Sequence, residues 1–191
     1  MAPGRAPTSA WIAFDTALGL CAVAWGDGGL TGSQLPELDS RNLEALRRRM
    51  ADRFPGVPQC LNLAEAPADI QALTGAVAAQ LAGGLVDLPK VRFDMHGVPP
   101  FEARVYAEAL RLGPGQTMTY GELAYRLGEP SAARAVGQAL GHNPFAPVVP
   151  CHRVVGAGGK MVGFSAPGGV QMKQRMLDIE TRAVGGQGNL F

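Results

Sequence analysis

Three cysteines and three histidines occur among 191 residues, and one of each stands side by side in "NPFAPVVPCHRVVG" (143–156), as Cys151 and His152. A thiol beside an imidazole can be a nucleophile next to its base. It can also be a buried cysteine acting as a small apolar residue, the commonest fate of a lone thiol. A redox thiol would want a resolving partner, and Cys21 and Cys60 are remote in sequence. A nucleophile needs its pKa lowered from about 8.5, and His152 is the nearest group able to do that. In an extended segment neighbouring side chains point to opposite faces, so His152 would have to act across a turn or through a water.

The last helical pattern adds a carboxylate. In "GGVQMKQRMLDIE", Gln171, Gln174, Arg175 and Asp178 share one arc, Val170, Met172, Met176, Leu177 and Ile179 the other, and Lys173 and Glu180 fall inside the apolar arc. A His-Glu pair would satisfy Glu180 and orient the imidazole. The plainer alternative is that both side chains snorkel to water, which suits the longer Lys173 better. Between the two motifs, "VVGAGGKMVGFSAPGG" carries six glycines but matches neither G-x-x-x-x-G-K-[ST] nor G-x-G-x-x-G. It suits a pocket wall that a flat ligand approaches closely.

These residues need elements to hold them. "PFEARVYAEALRLG" reads as an amphipathic helix ended by Gly113. "TYGELAYRLG" opens on Thr119-x-x-Glu122, a capping box, and closes at Gly128. Ser131 can cap "AARAVGQALGH", and two short helices joined by a tight turn suggest a helix-turn-helix. At about 100° per residue, Ala133, Val136, Gly137 and Leu140 share the inward face of the second helix, leaving Ala135, Gln138 and Ala139 outward with Arg134 on the flank. A small-faced helix can lie close against a groove, or be buried on both sides.

Upstream, "WIAFDTALGLCAVAWGDGGLTG" (11–32) reads as strands punctuated by Gly turns, with "GLCAVAW" the clearest. "RNLEALRRRMADRF" sets Leu43, Leu46, Met50 and Phe54 on one helical face, and "PADIQALTGAVAAQLAGG" (67–84) does the same with Ile70, Leu73, Val77 and Leu81. The Pro- and Gly-bearing stretch 86–100 is the candidate domain boundary. With 47% apolar and 17% charged residues, the composition is that of a globular protein. No apolar run approaches the roughly 18 residues of a membrane span, and no secretory signal is expected at the start. The cysteine and histidine spacing suits neither a disulfide framework nor zinc, so no metal is expected. Net charge is +1, but residues 1–90 carry 7 basic and 9 acidic side chains against 10 and 7 in residues 91–191. Any polyanion contact therefore belongs to the second half.

Taken together, "PCHRVVG", preceded by "TYGELA" and "SAARAVGQALGHNP" and followed by "GFSAPGG…LDIE", resembles the O6-alkylguanine-DNA alkyltransferases, most densely from Phe101 to Glu180. The resemblance implies an α/β protein: a small ribonuclease-H-like α/β domain over 10–90, then a mainly helical winged helix-turn-helix domain over 97–182, with 1–9 and 183–191 as flexible tails. It implies direct-reversal repair, in which an alkyl group passes once from the O6 of guanine, and from O4 of thymine as a further substrate, to the protein's own cysteine.

By that resemblance Cys151 is the alkyl acceptor, His152 the water-mediated base, Glu180 the carboxylate completing the relay, and Asn143 the brace of the active-site turn. Tyr120 contacts the base and crowds the target phosphate, and Arg134 takes the place of the extruded base. Ala135 and Gln138 face DNA, and Val154, Ser165 and Phe164 join Tyr120 around the guanine. Phe164 stands where the human-type relative has tyrosine, and Ala166 and Pro167 enlarge the loop after it. The implied partner is double-stranded DNA bound through its minor groove by a cytoplasmic monomer, with no cofactor and no membrane. A thiol hydrolase or acyltransferase using Cys151 and His152, and a DNA-binding protein with a structural Cys151, are the rival readings.

Overall fold

The structure is a computed structural model that describes residues 9–37 and 39–185. Most of the two expected tails thus falls outside the described residues. Three antiparallel strands come first: β1 (Ala10–Thr16), β2 (Gly19–Gly26) and β3 (Gly29–Gln34), in that spatial order. The strand pattern in β2 is continuous rather than alternating because both faces are covered. Cys21, Val23 and Trp25 enter the main core, while Ala22 and Ala24 pack with Trp11 against Leu46 and Met50 of α1 (Leu43–Arg53). A strand buried on both faces reads as one apolar run.

Asn42 caps α1 by accepting from the Ala45 N–H at 3.0 Å. On the other face lies α2 (Ala68–Leu81), which buries Ile70, Leu73, Val77 and Leu81 as their spacing requires. Residues 86–100 are not slack. Leu30 donates its N–H to the Arg92 carbonyl and accepts from Asp94, both at 2.8 Å, and Phe93 meets Phe145 edge-on with ring centroids 5.0 Å apart. A single core therefore runs from the first sheet through Phe145 and Tyr106 to Met172 and Met176.

Among the described residues the second half holds four α-helices: α3 (Pro100–Ala109), α4 (Tyr120–Arg126), α5 (Ala133–Gly141) and α6 (Gly169–Ala183). Two short strands, β4 (Met118–Thr119) and β5 (Val154–Val155), pair in parallel, Met118 with Val154 and Thr119 with Val155. The predicted capping box is present, with Thr119 accepting from Glu122 N–H and the Glu122 carboxylate accepting from Thr119 N–H.

Three local expectations need correction. The third helix stops at Ala109, before Gly113, because the chain tightens there into Arg111 N–H to Glu108 and Leu112 N–H to Ala109 bonds. Ser131 does not cap α5. A turn closed by Ala132 N–H onto the Glu129 carbonyl at 2.8 Å moves the cap to Ala132, whose carbonyl accepts the first helical bond from Val136. Finally, Ala139 is buried rather than outward, since its carbonyl lies 3.0 Å from the hydroxyl of fully buried Tyr106.

Candidate active site

Cys151 opens a short 3-10 turn, Cys151–Arg153, between Pro150 and β5. Cys151 and His152 thus lie on a turn rather than in an extended segment: Arg153 N–H closes onto the Pro150 carbonyl at 3.0 Å. Successive side chains of such a turn are set about 120° apart, not 180°. Upstream, Asn143 ties the Asn143–Pro150 loop to itself. Its side-chain amide donates to the Val149 carbonyl and its oxygen accepts from Phe145 N–H, both at 2.9 Å. Asn143 is also among the groups that pull the Cys151 thiol down.

Behind the turn sits a buried ionic cluster. Nε2 of His152 meets Oε1 of Glu180 at 2.9 Å. A carboxylate only accepts, so Nε2 carries the hydrogen and Nδ1 keeps its lone pair. That Nδ1 is buried and has no hydrogen-bond partner among the described residues. Glu180 also accepts from Nε and Nη2 of Arg153 at 2.7–3.1 Å and from Gly115 N–H at 3.0 Å, while Arg153 Nη1 donates to the Leu112 carbonyl at 2.6 Å. Burial alone would raise the Glu180 carboxyl, but hydrogen bonds from His152 and Arg153 and the charge of Arg153 outweigh it and hold the group at about 2.

Burial pulls His152 below its ordinary value; Glu180 opposes this, and the charges of Arg153 and Lys173 reinforce it. The imidazole is therefore neutral at neutral pH. Burial likewise pushes the Cys151 thiol up, against the pull of Asn143, Lys173 and the backbone N–H groups of Cys151 and His152. The cluster thus holds a protonated thiol beside a neutral imidazole with one free lone pair. It can move a proton off sulfur only as sulfur forms a new bond.

Lys173 does not snorkel. It is fully buried, donates to the Val154 carbonyl at 2.6 Å and to the Tyr120 hydroxyl at 3.3 Å, and lies 5.5 Å from the centre of the Tyr120 ring. Burial brings its ammonium down to about 8, with Cys151 resisting. In front of Cys151 opens an 840 Å³ groove whose walls include Tyr120, Ala133, Arg134, Gly137 and Gln138 on one side and Phe164 and Ser165 on the other. Gly137 faces Tyr120, and a Cβ there would meet the ring at 3.8 Å. Arg134 is exposed and makes no ion pair among the described residues. Ala135 lies off this lining, and Val154 sits behind it.

Of the residues singled out from sequence, Cys151, His152 and Glu180 come together through adjacency and a direct hydrogen bond, and Asn143 reaches the turn through the Val149 carbonyl. Arg153 was missed. Its signal was a charge set in the apolar run "CHRVV", the place where a buried Glu180 would find its counter-ion.

The chain's residues 100–182 match the family model described as 6-O-methylguanine DNA methyltransferase, DNA binding domain. A methylated-DNA–protein-cysteine methyltransferase of Mycobacterium tuberculosis is 45% identical over 115 residues, 59% of this chain and 67% of that protein. The Salmonella typhimurium protein of the same name is 46% identical over 109 residues, 56% and 61% of the two chains. Among solved structures, the Mycobacterium tuberculosis OGT in complex with DNA superposes with a TM-score of 0.70 at 33% identity, covering 91% of this chain and 93% of that one. The O6-methylguanine-DNA methyltransferase of the archaeon Pyrococcus kodakaraensis gives 0.61 at 27% identity, covering 89% and 98%. This mixed α/β chain, with its thiol, imidazole and carboxylate in one buried cluster, belongs to the methylated-DNA–protein-cysteine methyltransferase family.

Proposed function

We propose that the chain repairs DNA by direct reversal, taking the alkyl group of O6-alkylguanine onto the sulfur of Cys151 in a single turnover. The observation that carries this reading is the free Nδ1 lone pair of neutral His152, buried beside a protonated Cys151 with Glu180 behind it. As sulfur attacks the alkyl carbon, its proton passes to Nδ1, directly or through a water. The carbon–O6 bond breaks, its electron pair goes to the purine, and the departing guanine takes up a proton. The net transfer is thiol proton to guanine and alkyl group to sulfur. The thioether formed is inert, so each molecule acts once. O4-alkylthymine is a second substrate of the same chemistry.

The acceptor atom lies within the protein, so the base must leave the helix to reach it. We assign α4 and α5 to a winged helix-turn-helix that enters the minor groove of double-stranded DNA, with Arg134 filling the space of the extruded base and Gln138 and Ala135 against the backbone. Tyr120, with Lys173 behind its hydroxyl, contacts the base, and Val154, Phe164 and Ser165 complete the guanine pocket. We read the first half as a ribonuclease-H-like unit over 10–90 and the second as the DNA-binding and transfer unit over 97–182. The protein acts as a cytoplasmic monomer. No helix among the described residues is long and apolar enough to cross a membrane.

Intact-mass measurement after mixing with a duplex carrying O6-methylguanine tests the reading. We expect one methyl per molecule, on Cys151 alone. Cys21 should stay free, because burial pushes its thiol up to about 12. Turnover beyond one equivalent would point to a hydrolase or acyltransferase. DNA binding without mass gain would leave a DNA-recognition protein with a structural cysteine.

A further inference from the structure

The loop that carries Cys151 is held from outside by the first half of the chain. Ser33 at the end of β3 donates its N–H to the Pro144 carbonyl at 2.8 Å and its hydroxyl to the Ala146 carbonyl at 2.5 Å. Arg53 at the end of α1 donates to the Ser33 carbonyl at 2.6 Å, to Oε1 of Gln34 at 2.8 Å and to the Pro144 carbonyl at 3.5 Å, with its guanidinium 5.3 Å from the centre of the Phe54 ring. Gly32 permits this approach. A Cβ there would stand 2.7 Å from the Phe54 ring and 3.2 Å from the Pro144 oxygen.

These bonds meet the loop immediately after Asn143, whose amide donates to the Val149 carbonyl, the same carbonyl that accepts from the Cys151 N–H at 2.8 Å, and which favours the thiolate of Cys151. Ser33, Gln34, Arg53, Asn143, Pro144 and Cys151 also share the wall of a 470 Å³ cavity on the side of the thiol that faces the first sheet. The loop's own ladder is sparse: Asn143's two bonds and Val149 N–H to Phe145 account for its internal hydrogen bonds among the described residues.

We infer that Ser33 and Arg53 are positioning residues for alkyl transfer: by fixing Pro144 and Ala146 they hold Asn143 against Cys151 and so set where the sulfur lies and what it is bonded to. The inference rests on the proposed function for its reaction, but the geometry concerns the thiol itself. A buried serine between two carbonyls and a guanidinium spanning β3 and Pro144 fix the loop in a way apolar packing alone does not, because hydrogen bonds specify direction. Losing a fraction of an ångström in the sulfur's line of attack costs rate even when the change lies away from the chemistry.

The test uses the full chain with Ser33→Ala, Arg53→Met and Arg53→Lys. Single-turnover transfer is measured from free O6-benzylguanine and from alkylated duplex, alongside affinity for unmodified duplex. The pH dependence of Cys151 alkylation by iodoacetamide is read by peptide mass spectrometry. We expect Ser33→Ala and Arg53→Met to slow transfer from both substrates by the same factor, about tenfold or more. Duplex affinity should stay within about twofold, and the iodoacetamide profile should move to higher pH as Asn143 releases the thiol. Arg53→Lys should recover only part of the rate, since an ammonium cannot span three acceptors as the planar fork does. An unmoved iodoacetamide profile with unchanged rates, or a loss confined to duplex substrate, overturns the inference. If the unaltered protein transfers no alkyl group from either substrate, the proposed function fails. The iodoacetamide profiles then still decide whether the clamp sets the thiol.

Discussion

Behind Cys151 the charged and polar side chains bond to one another, whereas in front of it Arg134 and Gln138 make no side-chain hydrogen bond among the described residues and Tyr120 is tied back to Lys173 and the Val162 carbonyl. The rear is the Glu180 cluster, where one carboxylate takes hydrogen bonds from His152, Arg153 and Gly115, with the side chains of Glu180, His152 and Arg153 all at most 8% exposed. The front is the groove between α4, α5 and the glycine-rich loop, where Tyr120 and Phe164 stand among small residues such as Ala133 and Gly137, with Arg134 unpaired among the described residues. Proton movement requires fixed distances and protonation states before a substrate arrives, so its groups bond to one another. Recognition requires groups whose bonding capacity is still free, so those groups face solvent. The division implies that rear substitutions harm the empty protein, and front substitutions are felt only when DNA is bound.

The largest effect should come from breaking the rear ion pair on one side. We predict that Arg153→Met lowers stability by about 3–5 kcal/mol, because Glu180 is left charged and buried. The double change Arg153→Met with Glu180→Leu should recover much of that loss in denaturant unfolding while remaining unable to transfer alkyl groups. Recovery no better than the single variant would mean that Arg153 acts mainly by packing.

Acid sharpens the same point. The Glu180 carboxyl is depressed in the folded state to about 2, so its contribution is complete above its ordinary value near 4.5 and is lost as pH falls through about 2. Glu180→Gln should therefore flatten the fall of stability between those two values. It should also slow transfer, since the amide can no longer enforce the Nε2–H tautomer of His152. An acid limb as steep as that of the unaltered protein would place the titration elsewhere.

At the front, Arg134→Ala should leave melting unchanged and transfer from free O6-benzylguanine close to the original rate. On alkylated duplex we predict a loss of about ten- to a hundredfold, because an extruded base leaves an unstacked gap worth a few kcal/mol. Equal slowing of both substrates would move Arg134 from the front to the scaffold. The smallest effect belongs to ion pairs remote from both regions. Glu44 and Arg47 pair within α1 with their side chains 71% and 42% exposed, so Glu44→Ala should change stability by less than about 1 kcal/mol and repair rate not at all.

What could be read from the sequence was what depends on neighbours in the chain. The Thr119 and Glu122 cap, the strands around Gly19 and Gly29, and the apolar stripes of α1 and α2 follow from spacings of two to four residues. Cys151, His152 and Glu180 stood out because their residue types are rare or misplaced in their local pattern, and Asn143 entered through the family resemblance alone. The misses were set by tertiary context. Lys173 looked like a side chain able to reach water until the Val154 carbonyl and Tyr120 closed over it. The rotation of α5 depended on the hydroxyl of Tyr106 reaching Ala139, 33 positions away. Ser33 and Arg53 gave no signal at all, since their partners in the active-site loop lie 91 to 113 residues further along.

The parallel pairing of β4 with β5 is only two residues long, yet it acts as a gauge. Thr119 is both the second rung and the residue that starts α4, so Tyr120 follows it directly. Cys151 precedes the first rung at Val154 by three residues. Parallel strands run about 4.8 Å apart, and a shift of one residue would turn every side chain to the other face. Two backbone rungs thereby index the aromatic wall of the groove to the sulfur at its floor, giving the opening a width set by peptide geometry rather than by side-chain size. Residues around that opening can change in volume without altering how far apart tyrosine and thiol stand.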